Sequence, residues 1–263
     1  VKRILALICC FALLIGLVGC ASKDDNKLVV GATAKPHGEI LEVVKPMLEK
    51  EGIELEIKEF TDYVLLNPAL NDGEIDANFF QHIPFLDEYN EKNKTDLVWT
   101  AQVHNEPMGV YSKEYKKIED LPNGATVGIP NDTTNGGRAL MVLERSGVIK
   151  LKEGAGLTAT DKDIAQNLKN LKIQMMDAAM LPRAMDDLDA CVINSNHAIE
   201  ANLNPVEDSI FMEPKDSPFG NVLVVRAKDK DKEAIKKLGE ALQSPEVKEF
   251  LEEKYQGSCV PTF

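Results

Sequence analysis

The chain alternates short apolar runs with segments whose apolar residues recur at helical spacing. Lys27 to Thr33 (K-L-V-V-G-A-T) predicts a strand, and Glu39 to Glu51 sets Ile40, Val43, Val44, Met47 and Leu48 on one helical face. Ile53 to Glu59 alternates apolar and acidic residues, the pattern of a strand with one wet face. Asp62 to Leu70 predicts a short helix carrying Tyr63. Ile75 to Phe80 predicts the end of a buried strand, and Pro84 blocks an ordinary helix interior. Gln81 and His82 therefore fall at a strand-to-helix junction, with a further helix from Phe85 to Glu91. Repeated strand and helix is the order of a parallel sheet covered by helices.

The second half continues in kind. Leu97 to Val103 and Glu106 to Tyr111 are extended, and Leu121-Pro122-Asn123-Gly124 signals a turn before the apolar strand Ala125 to Ile129. Pro130-Asn131-Asp132-Thr133-Thr134-Asn135-Gly136-Gly137-Arg138 opens onto a helix from Ala139 to Glu144, placing Arg138 at a helix start. Ile164 to Leu171 is amphipathic. Lys172 to Met176 predicts a strand, Leu181-Pro182-Arg183 a helix start, Asp189 to Asn194 a buried strand, and Val222 to Arg226 another. Residues 230–255 predict two helices broken at Pro245. Two α/β lobes follow, one from 28–109 and 214–263, the other from 110–213 inserted within it. Two crossovers make a hinge, and ligands bind at such interfaces.

The amino-terminal pattern is different. Lys2 and Arg3 precede the apolar run Ile4 to Val18, and Gly19-Cys20 follows, which describes a secretory signal over 1–19. The ending resembles the lipobox of bacterial lipoproteins, implying cleavage before Cys20, lipidation of its sulfur, and a polar tether over 20–27. The formal charge of −13 becomes two units more negative once the signal is removed. So acidic a surface repels nucleic acid and points to a small solute or a protein partner. Cys191 and Cys259 then remain as ordinary thiols, and Cys191 reads as a small buried residue with no bridge.

Candidate chemistry concentrates in Gly73 to Leu86 (G-E-I-D-A-N-F-F-Q-H-I-P-F-L), where aromatics adjoin an amide and a histidine. Adjacent residues on a strand point to opposite faces, so Phe80 and His82 turn towards a pocket and Phe79 into the core, with Phe85 expected to join the pocket wall from the helix that follows. Arg138 beside Gly136-Gly137 offers a planar guanidinium near helix N–H groups, a carboxylate site, although an ion-paired arginine fits as well. Asn194 and Asn221 lie at strand edges, where they either shape turns or offer amide oxygens to an ammonium group that no buried carboxylate neutralises. Tyr63, Phe80 and Phe85 suit an apolar, polarizable side chain. The four histidines are scattered without metal-ligand spacing, so neither a metal nor a cofactor is expected. A small-acid dehydratase or lyase would need His82 as its acid/base group, and an adhesin-like lipoprotein would have an empty pocket.

Several blocks also resemble one family: F-T-D-Y-V at 60–64, G-E-I-D-A-N-F-F-Q-H at 73–82, P-N-D-T-T-N-G-G-R at 130–138, L-P-R-A-M-D-D at 181–187, V-I-N at 192–194 and S-P-F-G-N at 217–221. In that order they are similar to the NLPA lipoproteins, the substrate-binding components of methionine ABC importers. The resemblance implies a two-lobed, periplasmic-binding-protein-like (type II) α/β fold with a ligand cleft between the lobes. It further implies methionine as ligand, a membrane permease as partner, and a lipid anchor facing outside the cytoplasm. By motif position, Arg138 would hold the carboxylate, Asn194 and Asn221 the head group, and Tyr63, Phe80, His82 and Phe85 the thioether end. Phe85 stands where the family often has Tyr, Leu66 where Pro is common, and His197 where an aromatic is common.

Overall fold

The computed structural model describes residues 26–263. The expected signal segment 1–19, Cys20 and most of the tether 20–27 lie outside the described residues. Two mixed sheets dominate. The first runs Val260–Pro261, Leu97–Asn105, Gly220–Arg226, Ala77–His82, Lys27–Ala32, Glu54–Glu59 in spatial order. Its first three strands in the chain are mutually parallel, and Gly220–Arg226 inserts antiparallel between Ala77–His82 and Leu97–Asn105. The second sheet runs Ser209–Met212, Gly109–Tyr111, Ala190–Ile193, Thr126–Pro130, Lys172–Met176. The chain passes between the sheets twice, through 106–108 and 213–219.

Burial on both faces explains the continuous apolar runs. In Gly220–Arg226, Leu223 and Val225 join the core under the helices Glu39–Lys50, Glu233–Leu242 and Pro245–Tyr255. Val222 and Val224 face the other way, onto Leu70 and Leu86 of the helices Tyr63–Asp72 and Ile83–Asn93. Ala190–Ile193 divides likewise, Ala190 and Val192 against Cys191 and Ile193. Each such fully buried Leu, Ile or Val contributes about 1.5–3 kcal/mol. Cys191 and Cys259 are both buried and free.

Local signals set the helix ends. Asp62 accepts the Val64 N–H at 3.0 Å to start Tyr63–Asp72, which ends at Gly73 in the left-handed region with φ 82°. His82 caps Ile83–Asn93 by accepting the Phe85 N–H at 3.2 Å, with Pro84 in the first turn, where no N–H is needed.

One expectation needs correction. Arg138 is not at a helix start: the helix spans Thr133–Arg145, capped by Asp132, so the Gly136-Gly137 pair lies inside it. The glycines serve close approach, since a Cβ on Gly137 would stand 2.1 Å from the Leu157 carbonyl oxygen and one on Gly136 2.9 Å from that of Pro130. The amphipathic stretch 164–171 forms a short strand, Ile164–Asn167, paired with Ile149–Leu151. Asn167 then turns the chain, its side chain accepting the Leu171 N–H at 2.7 Å, and Asn170 takes φ 50°.

Candidate functional site

A narrow cavity lies between the two sheets. Tyr63, Phe80, His82 and Phe85 border it from the first sheet and its helices, with Asn221 from the inserted strand. Arg138 and Asn194 border it from the second sheet's side. The structure therefore brings all seven sequence-selected residues to one place. Phe79 is fully buried in the core of the first sheet, whereas its neighbour Phe80 packs with Tyr63 and Phe85, as strand alternation requires.

One end of the cavity is aromatic. The Tyr63, Phe80 and Phe85 rings lie 5.7–6.2 Å apart between centroids, and His197 stacks on Tyr63 at 4.9 Å. The Tyr63 hydroxyl donates to Asn196 Oδ1 at 2.5 Å, across the cavity between sheets. Burial raises the Tyr63 pKa well above its ordinary value, so it remains a donor. Gln81, although buried, is explained by packing: its amide is spent on Asn67 and Asn78 at 2.6–2.9 Å.

His82 is fully engaged. Its Nδ1 accepts the Phe85 N–H, and its Nε2–H donates to Asn135 Oδ1 at 3.2 Å. Burial, helped by the nearby Arg138 charge, pulls its pKa down to about 3, so it is neutral at pH 7. With both nitrogens hydrogen-bonded to protein, His82 serves here as a helix cap and as a donor to Asn135.

The other end is charged, and here the sequence reading was incomplete. Arg138 is ion-paired: Nη2 and Nε reach the Glu213 carboxylate at 2.5 and 3.3 Å, and Nη2 also donates to the Glu106 carbonyl at 2.8 Å. The guanidinium lies 4.1 Å over the Phe219 ring. Glu106, Glu213 and Phe219 all belong to the two crossovers, which are tied together by Glu213 N–H to Met108 O at 2.9 Å. Arg138 thus packs against both crossovers, with Nη1 left without a protein partner among the described residues.

Contrary to expectation, a buried carboxylate does border the cavity. Glu106 is 6% exposed, and Oε1 is 2.8 Å from His104 Nε2 and 3.2 Å from His37 Nε2. Burial raises its pKa, but His37 and His104 outweigh that and hold the group below the usual carboxylate range. Burial also takes the His37 pKa down to about 4. Scattered sequence positions were therefore a poor argument against convergence: among the described residues His37, His104 and Glu106 place three donor atoms within 4.8 Å of one another.

The asparagines divide in role. Asn194 precedes the helix Ser195–Glu200 but does not cap it with its side chain. Instead its Nδ2 donates to Asn135 Oδ1 at 2.9 Å, leaving Oδ1 buried without a partner among the described residues. Asn196 Nδ2 is also buried and unpartnered among the described residues. Asn221 lies within its strand rather than in a turn, and its Oδ1 accepts from His37 Nε2 at 3.1 Å. Buried polar atoms without partners are rare in proteins, and these two sit on the wall of one cavity. Glu106, Asn135, Asn196 and Glu213 were not singled out from sequence; only Asn135 lay inside a block that had drawn attention, P-N-D-T-T-N-G-G-R.

The family model of the NlpA lipoproteins matches residues 28–263. The chain is 42% identical over 251 residues to the D-methionine-binding lipoprotein MetQ of Salmonella typhimurium, covering 94% of this chain and 93% of that protein. Among solved structures, a nutrient binding protein from Burkholderia cenocepacia bound to methionine superposes with a TM-score of 0.88 at 48% identity, covering 90% of this chain and all of that one. An ABC transporter periplasmic substrate-binding protein from Coxiella burnetii superposes with a TM-score of 0.85 at 38% identity, covering 89% and 100%. The fold is the two-lobed α/β fold of these binding proteins, as the sequence predicted.

Proposed function

The chain belongs to the NlpA lipoprotein family, and on that premise we propose that it is a lipid-anchored receptor that binds methionine and presents it to an ABC importer. The lobes are 28–109 with 214–263, and 110–213. The anchor is a lipid on Cys20, and the protein faces outside the cytoplasm. Binding and delivery involve no bond-making step, so the protein is not an enzyme.

The observation that carries this reading is the polarity of one cavity. The aromatic end, Tyr63, Phe80 and Phe85 with the His82 ring, accepts a thioether; sulfur-aromatic contacts contribute about 0.3–1.5 kcal/mol each. At the other end Arg138 Nη1 and the unpartnered Asn196 Nδ2 are donors for a carboxylate. The unpartnered Asn194 Oδ1 and the Glu106 carboxylate are acceptors for an ammonium group, with Asn221 beside them. An α-amino acid supplies both charges one carbon apart, and hydrogen bonds to charged groups contribute about 1.5–3 kcal/mol each. The head group therefore sets affinity, and the aromatic end selects the side chain.

Calorimetry with L- and D-methionine on refolded, ligand-stripped protein tests the proposal. Saturable heat and a raised melting temperature are expected. An absence of both across the amino acids refutes it.

A further inference from the structure

Three buried charged groups meet at the polar end of the cavity, and they do not cancel. Arg138 and Glu213 neutralise one another through a two-point contact, which leaves the Glu106 carboxylate as the odd charge. A carboxylate 6% exposed is costly unless donors satisfy it. Its donors are two imidazoles. His37 faces the acceptors Glu106 Oε1 and Asn221 Oδ1 with Nε2, so that nitrogen carries the proton, while Nδ1 accepts from the Thr33 hydroxyl at 2.7 Å. His104 likewise donates from Nε2, because its buried Nδ1 has no partner among the described residues and a proton there would be stranded. Both rings therefore satisfy Oε1 as neutral dipoles. They stabilise the ionised carboxylate without discharging it, and Oε2 has no partner among the described residues.

We infer that His37 and His104 are positioning residues for amine recognition: they keep Glu106 ionised and fix its rotamer, so that the cavity demands a ligand with a cationic α-amino group. This rests on the amino-acid-binding reading above. A metal at the same three residues is the weaker alternative, because Oε1 already occupies the point on which both Nε2 atoms converge. Three separated segments supply the parts: the turn after Lys27–Ala32 carries His37, the end of Leu97–Asn105 carries His104, and the crossover carries Glu106.

The test measures dissociation constants for L-methionine and for 4-(methylthio)butanoate, the same molecule without its amine. The wild-type protein is expected to favour methionine by about 10- to 150-fold, the span of a hydrogen bond to a charged group. Glu106→Gln and His104→Leu are each expected to reduce that ratio about tenfold or more, while His104→Gln, which retains an N–H donor, restores it to within about threefold of wild type. His37→Leu is read in the same way and lowers the ratio less, its contact being the longer. Retained binding of the des-amino acid reports that each variant is folded. A ratio unchanged in His104→Leu and His37→Leu, with both ligands weakened alike, overturns the inference and leaves the histidines a packing role. Failure of the wild-type protein to bind methionine would instead refute the functional reading itself.

Discussion

Removing the Arg138 charge has two consequences that one pair of variants separates. Arg138 is 3% exposed and Glu213 7%, so Arg138→Met strands a buried anion in the second crossover. Breaking a buried ion pair from one side costs about 3–5 kcal/mol. At about 2–4 °C per kcal/mol for a chain of this size, the ligand-free melting temperature should fall by roughly 6–20 °C. Adding Glu213→Gln removes the stranded charge and keeps an acceptor for the Met108 N–H, which Glu213 Oε2 now holds at 3.2 Å. The double variant should therefore recover more than half of the lost stability, with the lost bond to the Glu106 carbonyl as the remainder. Methionine affinity should not recover, because both variants lack the guanidinium, a loss of about 10- to 150-fold for a hydrogen bond to a charged group. Urea unfolding and calorimetry on the wild type and both variants supply the numbers. If the double variant is as unstable as the single one, the Glu213 charge is not what Arg138 compensates. If Arg138→Met binds methionine like the wild type, the ligand carboxylate is held elsewhere.

Acid should destabilise the protein well before its carboxylates titrate. His37 and His82 have folded pKa values of about 4 and 3 against about 6.5 unfolded, so the unfolded chain binds more protons between these limits. The stability they contribute is complete above pH 6.5 and is lost as pH falls, about 1.4 kcal/mol per unit for each; a urea-derived stability flat from pH 7 to pH 5 would contradict this. Gly137→Ala drives a methyl group into the Leu157 carbonyl, a backbone atom that cannot swing away. It should cost about 1–3 kcal/mol, and a melting curve overlaying the wild type would show that the 156–158 turn yields freely. Asp132→Ala removes a helix cap worth about 0.5–2 kcal/mol and also releases Asn135, which Asp132 holds at 3.0 Å. Since Asn135 Oδ1 receives both His82 and Asn194, methionine affinity should fall as well, and a purely thermal effect seen by calorimetry would place Asn135 outside the site.

Much of the fold was legible because it rests on local rules. Apolar spacing in Glu39 to Glu51, the Pro84 break after His82 and the Pro245 break between the last helices all act within one or two turns of chain, and the elements formed there. The helix at Thr133 began earlier than expected because Asp132 is a strong cap and the paired glycines, read as a start, answer to packing against Leu157.

The sequence by itself determined the aromatic wall, the candidate arginine and both asparagines, since residue type, strand alternation and motif order carry that information. Only the tertiary structure decided what each one does. Arg138 meets Glu213 across 75 positions, and His37 meets Asn221 across 184. No periodicity spans such distances, and an anion in a crossover looks like surface until folding buries it. Charge compensation is a property of the packed site rather than of any segment, which is why Glu106, ordinary in the sequence, is the unpaired charge of the cavity.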